Sequence, residues 1–184
     1  LRPEAASVLH QLHKLGIRNT VMMTGDSYRT AEAIAKQVGV DQFYAEVLPE
    51  DKANFVQKEK AAGHTVVMIG DGINDSPALS AADIGIAINS GAAIAREIAD
   101  VTIKADSLEE LVFLKTVANA LQHRVGANYR FVLSFNSTLI LLGALGILQP
   151  AASAMLHNLS TLGISLKSMT NLVQTPSSVP QIAK

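Results

Sequence analysis

The sequence predicts an α/β domain built on a doubly wound parallel sheet, followed by a hairpin of two apolar helices. Three observations lead there. Short β-branched runs alternate with helical periodicity from about residue 3 to residue 107. Two of those runs end in glycine–aspartate loops, Thr24-Gly25-Asp26 and Gly70-Asp71-Gly72. No charged residue occurs between Phe131 and Leu166. The charge distribution sharpens the division, because all 16 acidic residues lie between Glu4 and Glu110. Beyond Glu110 the charged residues are Lys115, Arg124, Arg130, Lys167 and Lys184, all basic.

The elements follow in order. Val8, Leu9, Leu12 and Leu15 stand at helical spacing, with Pro3 before them and Gly16 after. Thr20-Val21-Met22-Met23 suits a buried strand, closed by the turn Thr24-Gly25-Asp26. Ala31, Ile34, Ala35 and Val38 share one face of a second helix, and Gly39 supplies its C-terminal cap. Phe43-Tyr44-Ala45 is a short strand, and residues 50–62 form a helix stopped by Gly63. Thr65 to Ile69 is a β-branched strand running into Gly70-Asp71-Gly72. A short helix over 76–82, a strand over Ile84–Ile88, a helix over 92–98 and an edge strand over Val101–Ile103 complete the domain. Strands alternating with helices pair in parallel, and ligands of such sheets sit beyond the carboxyl ends of the strands. The loops holding Asp26 and Asp71 lie at such ends, so chemistry is expected there.

Residues 108–127 read as a connecting helix. Two apolar spans, about 128–148 and 151–168, follow, broken by Gly146, Gln149 and Pro150. A bilayer span needs roughly 20 residues, so 128–168 is expected to be a transmembrane helical hairpin. Basic residues flank both its ends, which places residues 1–127 and the tail 169–184 on the cytoplasmic side. A buried hairpin of a soluble protein is the alternative, but soluble helices carry a polar face. The net charge of −1 gives no electrostatic basis for binding nucleic acid, and the absence of cysteine excludes disulfides and thiolate metal sites in this chain. Leu1 is not an initiator methionine and helical periodicity begins at once, which implies an upstream portion.

Gly70-Asp71-Gly72-Ile73-Asn74-Asp75 carries the sharpest chemistry. Two carboxylates four residues apart on one loop need a counter-ion. A hard divalent ion such as Mg2+ takes carboxylate and water oxygens, with a substrate phosphate completing its shell. The bland reading, an Asx-rich turn capping a helix, does not account for the continuation Ser76-Pro77-Ala78-Leu79.

The stretch Gly70–Leu79 resembles the hinge motif of P-type ATPases, members of the haloacid dehalogenase-like superfamily. Met23-Thr24-Gly25-Asp26, Pro49-Glu50-Asp51-Lys52 and Ala81-Ala82-Asp83-Ile84-Gly85-Ile86-Ala87 resemble the motifs that accompany it. The resemblance implies a haloacid dehalogenase-like phosphorylation domain over 1–107 that uses Mg2+ and ATP. It implies that Thr24 and Gly25 donate to a phosphoryl group, that Lys52 neutralises its charge, and that Asp71 binds Mg2+. It implies further that Asn74 and Asp75 position the phosphate, the metal's waters or Lys52, and that Asp26 shapes the nucleotide side of the cleft. The family's nucleophilic Asp-Lys-Thr-Gly-Thr loop does not occur in this sequence. It and the nucleotide-binding domain are expected upstream, together with actuator and further transmembrane domains of the same chain, and residues 1–184 alone are expected to be inactive.

Two apolar spans after the phosphorylation domain, and Ala127-Asn128-Tyr129-Arg130 with Phe135-Asn136, resemble the heavy-metal-transporting branch. The implied function is ATP-driven transport of a transition or heavy-metal cation through an aspartyl-phosphate intermediate, in an integral protein of the plasma membrane. Candidate ligands for the transported ion are Asn136, Met155, His157, Ser160 and Thr161, since polar groups at membrane depth are functional by default. For His157 the competing role is an interhelical hydrogen bond. The departures from the copper and zinc patterns leave copper, zinc or cadmium, manganese and cobalt open. Other readings are a membrane-tethered phosphatase of the same superfamily, a non-catalytic membrane-anchored subunit, and a potassium-pump subunit.

Overall fold

The computed structural model of the chain describes residues 2–70, 73–88, 97–103 and 108–172. The chain divides into two units, Leu1–Phe113 and Leu114–Lys184. The first unit holds α1 (Ala5–Lys14), β1 (Val21–Met23), α2 (Tyr28–Val38), β2 (Gln42–Tyr44) and α3 (Pro49–Ala61). It continues with β3 (Val67–Gly70), a 3-10 turn (Ile73–Asp75), α4 (Ser76–Ala81), β4 (Ile84–Ile88) and β5 (Val101–Ile103).

The periodicities explain the helices. Ala5, Val8 and Leu12 bury one stripe of α1, and Ala31 and Ala35 do so in α2. Gly39 ends α2 in the left-handed region at φ 80°, where a side chain would be strained. Pro49 opens α3, where its fixed φ suits the first turn and its missing N–H leaves nothing unsatisfied. Val56 of α3 and Ala78 and Leu79 of α4 are fully buried, and α3 packs on α4. The strand expected over 65–69 begins at Val67 and runs on to Gly70, so the ladder extends right to the glycine–aspartate loop. Of the helix expected over 92–98, residues 92–96 lie outside the described residues.

All strand pairs are parallel, as expected, but among the described residues they form two sheets rather than one. β1 pairs with β2, Val21 opposite Gln42 and Met23 opposite Tyr44. β4 lies between β3 and β5, with Ile69 opposite Ile86 and Ile88 opposite Ile103. β1 and β3 are not hydrogen-bonded to each other. β3 also leaves Val67 and Ile69, two residues apart and so on one face, each 39% exposed.

An aspartate stands at the start of every described strand pair. Asp41, Asp83 and Asp100 each stand one residue before a strand, β2, β4 and β5 respectively. Asp41 Oδ2 accepts from Thr20 N at 2.7 Å, Asp83 Oδ2 from Val66 N at 2.8 Å, and Asp100 Oδ2 from Gly85 N at 2.8 Å. Each donating N–H lies at the start of the neighbouring strand, so the carboxylate sets where pairing begins. Two of the three are reinforced. Thr20 Oγ1 donates to Asp41 at 2.7 Å with His13 Nε2 3.3 Å away, and Lys60 Nζ lies 3.2 Å from Asp83.

α5 (Glu109–Ala144), most of which lies in the second unit, is one continuous helix with no break at the expected junction of 127 and 128. Gly126 has room for a Cβ, the nearest atom being 3.8 Å away on Arg130, so nothing there forces a bend. The helix ends at a glycine stop. Gly146 adopts φ 71°, its N–H bonds Gly143 O, and Ile147 N–H bonds Leu142 O. Pro150 then opens α6 (Pro150–Ser168). The hairpin is helical, but its first helix ends at Ala144, short of the expected 148, with the turn at 145–149.

Its membrane-spanning character is not seen. Among the described residues no helix is long and apolar enough to cross a membrane. Within α5 the charge-free part begins at Phe131 and stops with the helix at Ala144. Fourteen residues at about 1.5 Å each rise only about 21 Å, against about 30 Å of hydrocarbon. α6 is diluted by His157, Asn158, Ser160, Thr161 and Lys167. The tail from residue 173 lies outside the described residues.

Candidate functional site

The site is built at the carboxyl ends of β1 and β3. Lys52 projects from the first turn of α3, three residues after Pro49. Asp75 closes the 3-10 turn after β3 and precedes α4, whose second residue, Pro77, is preset for a helix start. Lys52 Nζ donates to Asp75 Oδ1 at 2.7 Å, with side chains only 15% and 13% exposed. A charge-assisted bond this short and this sheltered is among the stronger polar contacts a protein makes. Gly70 is what lets it form. A Cβ there would sit 2.6 Å from Asp75 Cβ and 2.9 Å from Asp75 Oδ2, so Asp75 packs directly on the end of β3.

The second half of the site is the 24–26 loop. Thr24 Oγ1 donates to Asp26 Oδ2 at 3.1 Å and accepts from Asp26 N at 3.2 Å, a compact hydroxyl–carboxylate turn. Three backbone bonds stitch this loop to the segment leading into α3: Thr24 N to Tyr44 O, Val47 N to Thr24 O, and Glu46 N to Asp26 O, each 3.0 Å. Glu46 takes φ 56°, the left-handed region, to make that turn. Gly25 is exposed, and a Cβ added to it would come no nearer to any atom than 3.8 Å, from Val47 O. Thus Thr24, Gly25 and Asp26 are tied through residues 44–48 to the helix that carries Lys52.

Of the residues singled out in the sequence, the structure joins Lys52 with Asp75 and Thr24 with Asp26. Asn74 is exposed and makes no hydrogen bond to a described residue. Asp71 lies outside the described residues. Among the described residues no three acidic or histidine side chains cluster as a ready metal cage. Mg2+ does not require one, since one or two carboxylates with waters and phosphate oxygens suffice. Asp75 supplies such a carboxylate, with only Oδ1 engaged by Lys52. The buried Ser76 hydroxyl beside it has no hydrogen-bond partner among the described residues.

In the other unit, His157 and Asn136 come together, Nδ1 to Oδ1 at 2.9 Å. Ser160 Oγ and Thr161 Oγ1 both donate to His157 O, at 2.8 and 3.1 Å. Met155 is 64% exposed and stands apart from this group. Sequence reasoning missed Arg124 as anything beyond a flanking charge. Its guanidinium donates to the carbonyls of Ser168, Thr170 and Asn171 at 3.3, 2.6 and 2.9 Å, capping the end of α6 from α5. Asn128 adds a bond to Ser168 Oγ at 3.1 Å. An arginine and an asparagine one helical turn apart, opposite a helix end, was the available signal.

Comparison with known proteins places this geometry in context. The family model of the haloacid dehalogenase-like hydrolases matches residues 1–83. A zinc-exporting P-type ATPase of Mycobacterium marinum is 42% identical over 89% of this chain and 22% of its own length. A manganese-exporting P-type ATPase of Mycobacterium leprae is 41% identical over 89% of this chain and 23% of its own length. The crystal structure of a zinc-transporting PIB-type ATPase in its E2.Pi state superposes with a TM-score of 0.82 at 34% identity, covering 91% of this chain and 27% of that one. The chain thus spans less than a quarter of the curated relatives it matches.

Proposed function

Since the chain is homologous over most of its length to the heavy-metal-transporting P-type ATPases, we propose that it supplies the phosphate clamp and a membrane hairpin of such a pump. The observation that carries the reading is the sheltered Lys52–Asp75 pair, held against Gly70 at the end of β3. Lys52 places a positive charge where phosphoryl oxygens gain negative charge, and Asp75 fixes the ammonium so that no reorganisation is needed when charge develops. Thr24, tied to α3 through residues 44–48, brings a hydroxyl from the other loop. Its proton now goes to Asp26 and would turn to a phosphoryl oxygen when one is bound. Asp71 and Asp75 would hold Mg2+, which neutralises phosphate charge when bound. Asn74, exposed beside Asp75, orients the phosphate or the ion's waters.

ATP and an aspartate nucleophile come, in this reading, from sequence upstream of Leu1, along with the actuator domain and the other membrane helices. The sides of β1 and β3 that pair with no described strand, and the half-exposed face of Val67 and Ile69, suit a further strand from that sequence. Residues 128–168 insert in the bilayer, with both ends cytoplasmic. Support comes from the apolar run, which continues past the end of α5 to Leu148, and from the exposed Leu141, Leu159, Leu162 and Leu166. The transported substrate is a transition or heavy-metal cation. The relatives export zinc in one case and manganese in another at nearly equal identity, so likeness alone does not rank the metals.

The test uses the full-length protein. Incubation with ATP labelled at the γ-phosphate yields a hydroxylamine-labile phosphoenzyme and metal-stimulated hydrolysis, both lowered by Lys52→Met and Asp75→Asn. Residues 1–184 alone take up no label. Label on this chain itself, or hydrolysis indifferent to every transition metal and to both substitutions, would contradict the reading.

A further inference from the structure

The hairpin holds an arrangement that sorts the ion-ligand candidates into distinct roles. His157 Nδ1 lies 2.9 Å from Asn136 Oδ1. An amide oxygen only accepts, so the proton of this bond sits on Nδ1. In the neutral ring the lone pair is then on Nε2, the reverse of the tautomer a free imidazole side chain favours. No described residue engages Nε2. Asn136 and the exposed His157 line an open, mostly apolar groove of about 650 Å3 between α5 and α6, whose other walls include Leu139, Ile140, Leu148 and Pro150. Among the residues lining the groove, that imidazole nitrogen is the strongest metal ligand. Ser160 and Thr161 have committed their protons to His157 O, so neither hydroxyl proton goes to the ring.

We propose that Asn136 is a positioning residue that locks His157 in the Nδ1–H tautomer, presenting Nε2 to a divalent transition-metal cation of borderline softness. Asn136 is then not itself a ligand of that ion. Neutral imidazole suits such cations. A hydrogen bond to the far ring nitrogen is the usual device for orienting a metal-binding histidine, and its loss typically weakens binding about 10–100-fold. The inference rests on the metal-transport reading for the identity of the ligand, but not for the tautomer.

Two measurements test it. The first is nitrogen-15 NMR of the histidine-labelled 184-residue chain in detergent micelles, at a pH where the ring is neutral, with His157→Gln to assign the signal. The expected result is a protonated Nδ1 and a lone-pair Nε2 in wild type and in Asn136→Asp, and loss of that pattern in Asn136→Leu. The second is titration of the full-length protein with Zn2+ and Co2+. Asn136→Leu should weaken binding about 10–100-fold, Asn136→Asp should stay within a few-fold of wild type, and His157→Gln should lose at least as much as Asn136→Leu. A proton on Nε2 in wild type, or equal loss in Asn136→Asp and Asn136→Leu, overturns the positioning role even if metal binds. The expected tautomer with no metal bound by the full-length protein overturns the donor role together with the transport reading.

Discussion

Replacing Lys52 with methionine removes the charge and keeps most of the stem. Asp75 would then be a carboxylate 13% exposed, pressed against Gly70, with its cation gone. Breaking a buried pair by removing one partner costs about 3–5 kcal/mol, because the remaining charge is uncompensated. Both groups here keep some contact with water, so a loss of about 2–4 kcal/mol is expected. Asp75→Asn alone leaves the ammonium unpaired and should lose a similar or smaller amount. The double substitution removes both charges, and a pair deleted together costs little beyond lost packing. It should therefore recover most of the loss, to within about 1.5 kcal/mol of wild type, giving a coupling energy of at least about 1 kcal/mol. Hydrogen exchange followed by mass spectrometry reads this locally, through the opening free energies of peptides covering α3 and β3. If Lys52→Met leaves those peptides unchanged, or if the two substitutions simply add, the pair is an incidental surface contact and the reasoning fails.

Three further outcomes follow from the same structure. Gly70→Ala and Gly85→Ala should each destabilise by about 1–3 kcal/mol, as overpacking does, because the added Cβ meets Asp75 Cβ at 2.6 Å in one and Leu79 O at 2.8 Å in the other; thermal unfolding checks both. Hydrogen bonds from Thr20 hold the Asp41 carboxyl below its ordinary range, and the Val66 N–H followed by Lys60 does the same for Asp83. A depressed folded-state pKa gives stability that is full above the unfolded value of about 3.9 and lost as pH falls through the folded value. Asp41→Asn and Asp83→Asn should thus flatten the acid limb of the stability profile below about pH 4 and leave its neutral-to-alkaline shape alone. Arg124→Ala should free the end of α6, raising hydrogen exchange over residues 166–171 and the rate of tryptic cleavage after Lys167 several-fold, with α5 unaffected.

The fold was legible where a run of residues states its own environment. Ile84–Ile88 is a strand with the bounds the apolar run Ile-Gly-Ile-Ala-Ile implies, and Gly85 to Ile88 are buried on both faces. Gly39, Gly63 and Gly146 mark helix ends because each occupies a left-handed turn. Lys52 and Asp75 were legible only as members of spaced motifs, and their contact depends on α3 packing on α4, which no local pattern encodes. The separation into two sheets was not legible, since strand order depends on long-range pairing and not on the composition of β1 or β3. Nor was the bilayer depth of the hairpin. The apolar run in the sequence extends through Leu148, whereas the helix that would carry it ends at Ala144, and only the glycine stop at Gly146 explains the difference. The strand-start aspartates show a pattern hidden in plain order: Asp41, Asp83 and Asp100 each precede a strand, yet an aspartate before a strand also reads as an ordinary turn residue.

The most direct test of the phosphate clamp is a backbone amide shift map of the 184-residue chain on adding Mg2+ with inorganic phosphate. Thr24 to Asp26, Lys52, and Asn74 to Asp75 should move together, and the response should vanish in Asp75→Asn. Shifts confined to one of the two loops, or scattered over surfaces away from the ends of β1 and β3, would show that these residues do not converge on one phosphate.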